Sequence, residues 1–189
     1  MSLVSRVQNI LMSPQSEWPV IAGEGASVGS LFTGYILPVA AIPPIASIIG
    51  QGLLGPLGLV GGVIAAIIAY IISLVVTYIV GFVAAKLAPS FAGRDDLTQG
   101  MKLAGYAYTA SWVAGILLVI PGSIGKLLAG LIGLYSLYLL YLGTSPVMGV
   151  PQDKSIVYTI VLIVIAVVLA AIAVTVVGIV LGMFMFASM

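Results

Sequence analysis

Residues 86–112 read KLAPSFAGRDDLTQGMKLAGYAYTASW, and the fold turns on them. Lys86, Arg94, Asp95, Asp96 and Lys102 are five of the eleven charged side chains in a chain of 189 residues. Long uncharged apolar runs flank them on both sides. Hydrocarbon accepts such runs and rejects ions, so a polar island between them marks a membrane boundary.

Composition agrees. The chain is 62% hydrophobic and 6% charged, with a mean hydropathy of +1.31, whereas soluble domains carry roughly 25% charged residues. The expected class is an all-α integral membrane protein forming one domain over residues 1–189, because helices satisfy their own backbone inside lipid. A net charge of +1 gives no footprint for nucleic acid. With no Cys there is neither a disulfide framework nor a thiolate, and with no His the commonest general base and metal ligand is missing. No catalytic constellation is present, so the chain reads as a non-enzyme without cofactor or metal.

Upstream of the island, residues 59–85 form the clearest span. Gly61, Ala65, Ala69, Ser73, Thr77, Gly81 and Ala85 recur every fourth residue and make a stripe of small side chains. Close backbone approach through small residues drives helix association in lipid, which predicts that this helix is the packing post of the bundle. Before it, residues 30–50 hold Pro38, Pro43 and Pro44. Each proline removes a backbone donor, so this span is expected to be kinked or broken. Residues 50–58 carry no charge and read as a tight turn.

The leader, residues 1–29, is expected to be cytoplasmic or interfacial, with no cleavable signal. Leu3, Val7, Ile10 and Leu11 fall on one face of a short amphipathic helix, read either as a foot lying on the membrane or as a helix packed on the bundle. Ser13 and Pro14 start a second short turn, and Trp18 reads as an interface anchor.

Downstream, Asp96-Leu-Thr-Gln99 fits a capping box opening the third span, about 103–120, which stops at Pro121-Gly122. Lys102, Tyr106, Tyr108 and Trp112 resemble an interfacial belt. The fourth span, about 126–144, brings Tyr135, Tyr138 and Tyr141 to one flank, either bonded to neighbouring helices or lining a polar cleft. The last apolar run, 155–187, is longer than a bilayer core and is expected to tilt or project.

Five spans place Arg6, Lys86, Arg94, Lys102 and Lys154 on one side and only Lys126 on the other. All five acidic residues join the larger group. The positive-inside rule then predicts a cytoplasmic N-terminus and an outside C-terminus, in the cell (inner, cytoplasmic) membrane.

Three stretches resemble the prokaryotic branch of the Yip1 family: ILMSPQSEWPVI, FAGRDDLTQGMKLAGYAYTASWVAGILLVIPG, and GLYSLYLLYLG followed by PQDKSIVYT. The resemblance implies a five-span helical membrane protein with a cytoplasmic N-terminus. Prokaryotic relatives often have a proline just before the third-span tryptophan, where this chain has Ala110-Ser111-Trp112. The Asp-Leu-Tyr-Gly-Pro motif of eukaryotic members is absent, so their work with Rab-type GTPases is not carried over.

The expected function is a non-catalytic scaffold of the Yip1 type that contacts a partner or lipid. The alternative is a small-molecule or ion pathway through a polar cleft between spans. Membrane lipid is one expected partner and another membrane or cytoplasmic protein a second, with no nucleic acid. Small-residue helix faces also leave self-association open. Arg94, Asp95, Asp96, Tyr106, Trp112, Tyr135 and Tyr138 are the candidate contact residues.

Overall fold

The computed structural model describes residues 2–52 and 58–187, so most of the turn expected over 50–58 lies outside the described residues. Helices are the only regular structure among the described residues. Five are long and apolar enough to cross a membrane: Val28–Gly50, Gly58–Phe91, Leu97–Val119, Ser123–Met148 and Gln152–Ile179. The last belongs to a longer helix, Gln152–Ala187, which at 1.5 Å per residue runs about 54 Å and overshoots a hydrocarbon core of about 30 Å. Two short helices precede the spans, α1 (Leu3–Met12) and α2 (Pro14–Gly23).

The prolines kink the first span without breaking it. A π turn over Phe32–Ile36 precedes Pro38, and a turn at Ala41 separates Leu37–Ala40 from Ile42–Ser47. Proline cannot donate and its ring crowds the carbonyl one turn back, and a widened turn absorbs that misfit. Pro43 and Pro44 sit in the first turn of the following segment, where a missing donor matters least.

Contacts fix which ends lie together. Ile36 packs on Gly105, Pro43 on Gly115, and Gly50 on the carbonyls of Leu118 and Val119, so the first and third spans run side by side in one direction. Gly81 meets Gly100 and Met101, while Leu103 lies against Gly143. The Tyr158 hydroxyl donates to Ala84 O at 2.6 Å. One end of the bundle therefore gathers the leader, residues 88–96 and residues 149–151. Lys126 stands at the other end, and the charge segregation expected from the chain is present in space.

The packing post is the third span, not the second. Every residue from Gly100 to Ala107 is buried, whereas much of the second span faces outward. The small-residue stripe is used in halves. Thr77, Gly81 and Ala85 are buried, and a Cβ on Gly100 would collide with Gly81 O. Further along, Ala69 and Ser73 line an open groove. Periodicity locates a close approach, but the most buried helix is the one surrounded on all sides, which a stripe on one face does not reveal.

Span ends differ from expectation for local reasons. The third span starts at Leu97 because the Asp96 carboxylate accepts from Gln99 N–H at 3.1 Å. The fourth continues through Pro146 to Met148. It stops at Gly149, whose φ of 69° suits a residue without a Cβ.

Candidate functional site at the charged end

α1 and α2 form a helical hairpin packed on the third and fourth spans. Of the two readings of the leader, packing on the bundle is the one found. Ser2 caps α1 by accepting from Ser5 N–H at 3.1 Å, and Pro14 opens α2 at its first turn. Ile10, Trp18 and Ile21 are fully buried. Trp18 is thus a core residue rather than an interface anchor: its indole lies against Gly143 and Leu103's neighbourhood and meets the Tyr106 ring edge-on at 6.4 Å.

The hairpin brings charge inside. Arg6 lies on the same face as Leu3 and Ile10 and pairs through one terminal nitrogen with Glu17 and through the other with Glu24. The Arg6 and Glu17 side chains are each only 7% exposed. Asn9 Nδ2 donates to the second Glu17 oxygen at 3.1 Å. Burial pulls the Arg6 pKa down, but its hydrogen bond to Glu24 and the charges of Glu24 and Glu17 outweigh that, and the net shift is upward. Arg6 therefore stays cationic, with its guanidinium 5.7 Å from the centre of the Tyr106 ring.

From the third span, buried Lys102 donates to Glu24 O at 2.6 Å and to Ala22 O at 3.4 Å. Gln99 Nε2 donates to Ala22 O at 3.1 Å. Only half of the expected capping box forms, since the Gln99 side chain reaches the leader instead of the Asp96 backbone. Two buried polar atoms have no partner among the described residues, Trp18 Nε1 and Gln99 Oε1.

The exposed part of this end is a ledge made of two loops. Arg94 N–H donates to Met148 O at 2.9 Å, and the Arg94 guanidinium reaches Val147 O at 3.4 Å. A cation at the carbonyl end of a helix complements its dipole. Asp95 pairs with Lys86 at 2.7 Å. Pro151, Gln152, Asp153 and Lys154 are exposed alongside.

The seven candidate contact residues fall in four places. Arg94, Asp95 and Asp96 share the loop, where Asp96 serves as the cap. Tyr106 does not stand on the outer surface. It is buried between Tyr35, at 4.4 Å between ring centres, Trp18 and Arg6. Trp112 is also buried and gives its indole N–H to Ser73 Oγ at 3.2 Å; both rings sit on a span enclosed by others and reach open space only through hollows between helices. Tyr135 donates to Leu11 O at 3.1 Å, and Tyr138 stands beside it, 43% exposed. Tyr138 and the turn Met12–Ser16 line a hollow of about 390 Å³.

A separate groove of about 590 Å³ lies between the second, third, fourth and fifth spans, lined by side chains such as Ile72, Val76, Trp112 and Ile163. Among the described residues no charged side chain lines it. Among the described residues no three His, Cys, Asp or Glu side chains gather to hold a metal.

Arg6, Glu17, Glu24, Lys102 and Tyr35 are not among the seven candidate contact residues. A signal existed for Arg6, which falls three residues after Leu3 and four before Ile10 on the apolar stripe of α1.

The family model for the Yip1 domain matches residues 9–174, most of the chain. No curated protein and no solved structure matches it.

Proposed function

The chain belongs to the Yip1 domain family, and from that premise we propose that it is a non-catalytic membrane scaffold whose charged end docks a partner protein and lipid headgroups. The observation that carries this reading is the ledge. Arg94 ties the loop before the third span to the end of the fourth, so Lys86, Arg94, Asp95, Asp153 and Lys154 are presented on a preformed surface. A rigid surface binds without the ordering cost that a flexible loop incurs.

The hydroxyls support a non-enzyme. Thr77, Thr144 and Thr159 donate to carbonyls one turn back, at 2.8–2.9 Å. Ser111 and Ser136 bond each other at 2.8 Å. None of these has a base beside it to activate it.

The preponderance of Lys and Arg at this end supports a cytoplasmic N-terminus in the cell membrane. The pathway alternative draws support only from the groove, whose apolar lining suits an acyl chain better than an ion.

Photo-crosslinking from positions 152 and 153 in native membranes tests the docking reading. A discrete adduct is expected, weakened when Lys86, Arg94 and Asp95 are neutralised together. Adducts that ignore those charges would refute the ledge as a docking surface. Orientation is read from single cysteines placed at Ser90 and Ser123 in this Cys-free chain. An impermeant maleimide added to intact cells should label only the second.

A further inference from the structure

A polar pocket of about 370 Å³ opens between the first turns of α1, the residues leading into the first span, and the rings of Tyr35 and Tyr106. Three features of its walls point to a ligand. Tyr106 is 7% exposed, yet its hydroxyl has no hydrogen-bond partner among the described residues. Tyr35 in the same wall bonds Thr109 at 2.7 Å, so Tyr106 is the polar group left over. That hydroxyl is not one of the buried atoms left unpaired, so it reaches the pocket and is free to bond a guest there.

Glu24, 41% exposed, gives one oxygen to Arg6 and leaves the other without a bond from the described residues. Arg6 commits two N–H groups to carboxylates out of the five a guanidinium carries.

The charges decide the class of ligand. Arg6 and Lys102 balance Glu17 and Glu24, so a guest with net charge would unbalance a buried cluster, whereas a zwitterion would not. The free acceptors, a carboxylate oxygen and a phenol oxygen, call for an ammonium with N–H donors. The remaining Arg6 donors suit a phosphate. The pocket opens beside the Ser27–Ser30 cap at which the first span begins, and the end of a span long enough to cross the hydrocarbon meets the headgroups.

We infer that this pocket holds the headgroup of a zwitterionic phospholipid bearing a primary ammonium, with Glu24 and Tyr106 receiving the ammonium and Arg6 facing the phosphate. A phosphatidylcholine headgroup has the same charges but no N–H to give. The inference deepens the lipid-contact part of the proposed function and is independent of the ledge. Crosslinks from position 152 can vanish or persist without affecting it.

The test is native mass spectrometry of the full chain released from nanodiscs containing equal phosphatidylethanolamine, phosphatidylcholine and phosphatidylglycerol. Wild type should retain phosphatidylethanolamine preferentially, and Tyr106→Phe should weaken that preference about fivefold, the worth of one hydrogen bond. Because the Tyr106 hydroxyl bonds nothing in the protein, the variant should fold as wild type does. Tyr70→Phe, at a residue outside this pocket, is the control, expected to lose the bond to Leu37 O and keep the preference. Equal retention of the ethanolamine and choline lipids, or a Tyr106→Phe protein as selective as wild type, overturns the inference. Saturable binding of soluble phosphoethanolamine by lipid-free micelles, with no preference among lipids, moves the pocket to a soluble ligand and overturns the lipid assignment.

Discussion

Arg6–Glu17 and Lys86–Asp95 are ion pairs at the same end of the bundle, and they differ in what decides their energy. The first is 7% exposed on both sides, is extended by Glu24 and Asn9, and is enclosed by the hairpin and the third span. The second is 56% and 45% exposed and stands in the loop. Desolvation makes the buried pair dependent on both partners, so removing one leaves an uncompensated charge. Water screens the exposed pair and makes each partner dispensable. The exposed pair in the dense cluster of charge along the chain is therefore the energetically quiet one, and the scattered charges of the leader, with Lys102, hold the hairpin in place.

The largest expected effect comes from stranding a charge. Arg6→Met leaves Glu17 buried without its partner and should destabilise the protein by about 3–5 kcal/mol, read as a lower midpoint in equilibrium unfolding from mixed micelles. The triple variant Arg6→Met/Glu17→Gln/Glu24→Gln removes the stranded charges and should recover part of the loss. The sign of any pH dependence follows from Arg6. Its folded pKa is raised, so its contribution is fully present below the ordinary guanidinium value and is lost only above the still higher folded one. The Arg6→Met penalty attributable to that group should thus be flat between about pH 6 and pH 9. If Arg6→Met matches Lys86→Ala in stability, the contrast between the two pairs is broken.

Asp96→Ala should fall between these extremes. Its carboxylate receives the Gln99 N–H and faces the start of the most enclosed helix, and loss of such a cap costs about 1 kcal/mol. Asp96→Asn keeps an acceptor and should cost a few tenths of that. Equal losses for the two would mean that charge at the helix start, rather than the cap bond, is what Asp96 supplies.

Spans are legible in this chain because lipid imposes one simple demand, a long uncharged run, and residues 59–85 and 155–187 meet it without ambiguity. The Asp96 cap was legible for a similar reason, as its geometry is local. Polar partners separated by many residues were not. Glu17 reads as an ordinary first-turn acid of α2 until the hairpin closes on Arg6. Tyr106 and Trp112 read as belt residues because aromatic side chains near a charged loop usually are; nothing local tells that leader and neighbouring spans cover them. Only the apolar register of α1, which includes Arg6, hinted that a charge would be buried.

The smallest effect sharpens the contrast most. Lys86→Ala and Asp95→Ala should each change stability by no more than about 0.5 kcal/mol, and the double variant by no more than the sum, because an exposed pair offers little beyond its screened Coulomb energy. Raising salt should shrink even that difference, since screening acts on exposed charges first. The same variants, combined with Arg94→Ala, are expected to weaken the position-152 and position-153 crosslinks. Stability unchanged with crosslinks lost would separate a contact surface from a structural one. A large stability loss from Lys86→Ala alone would instead show that the loop pair braces the bundle, and the distinction between the two ion pairs would collapse.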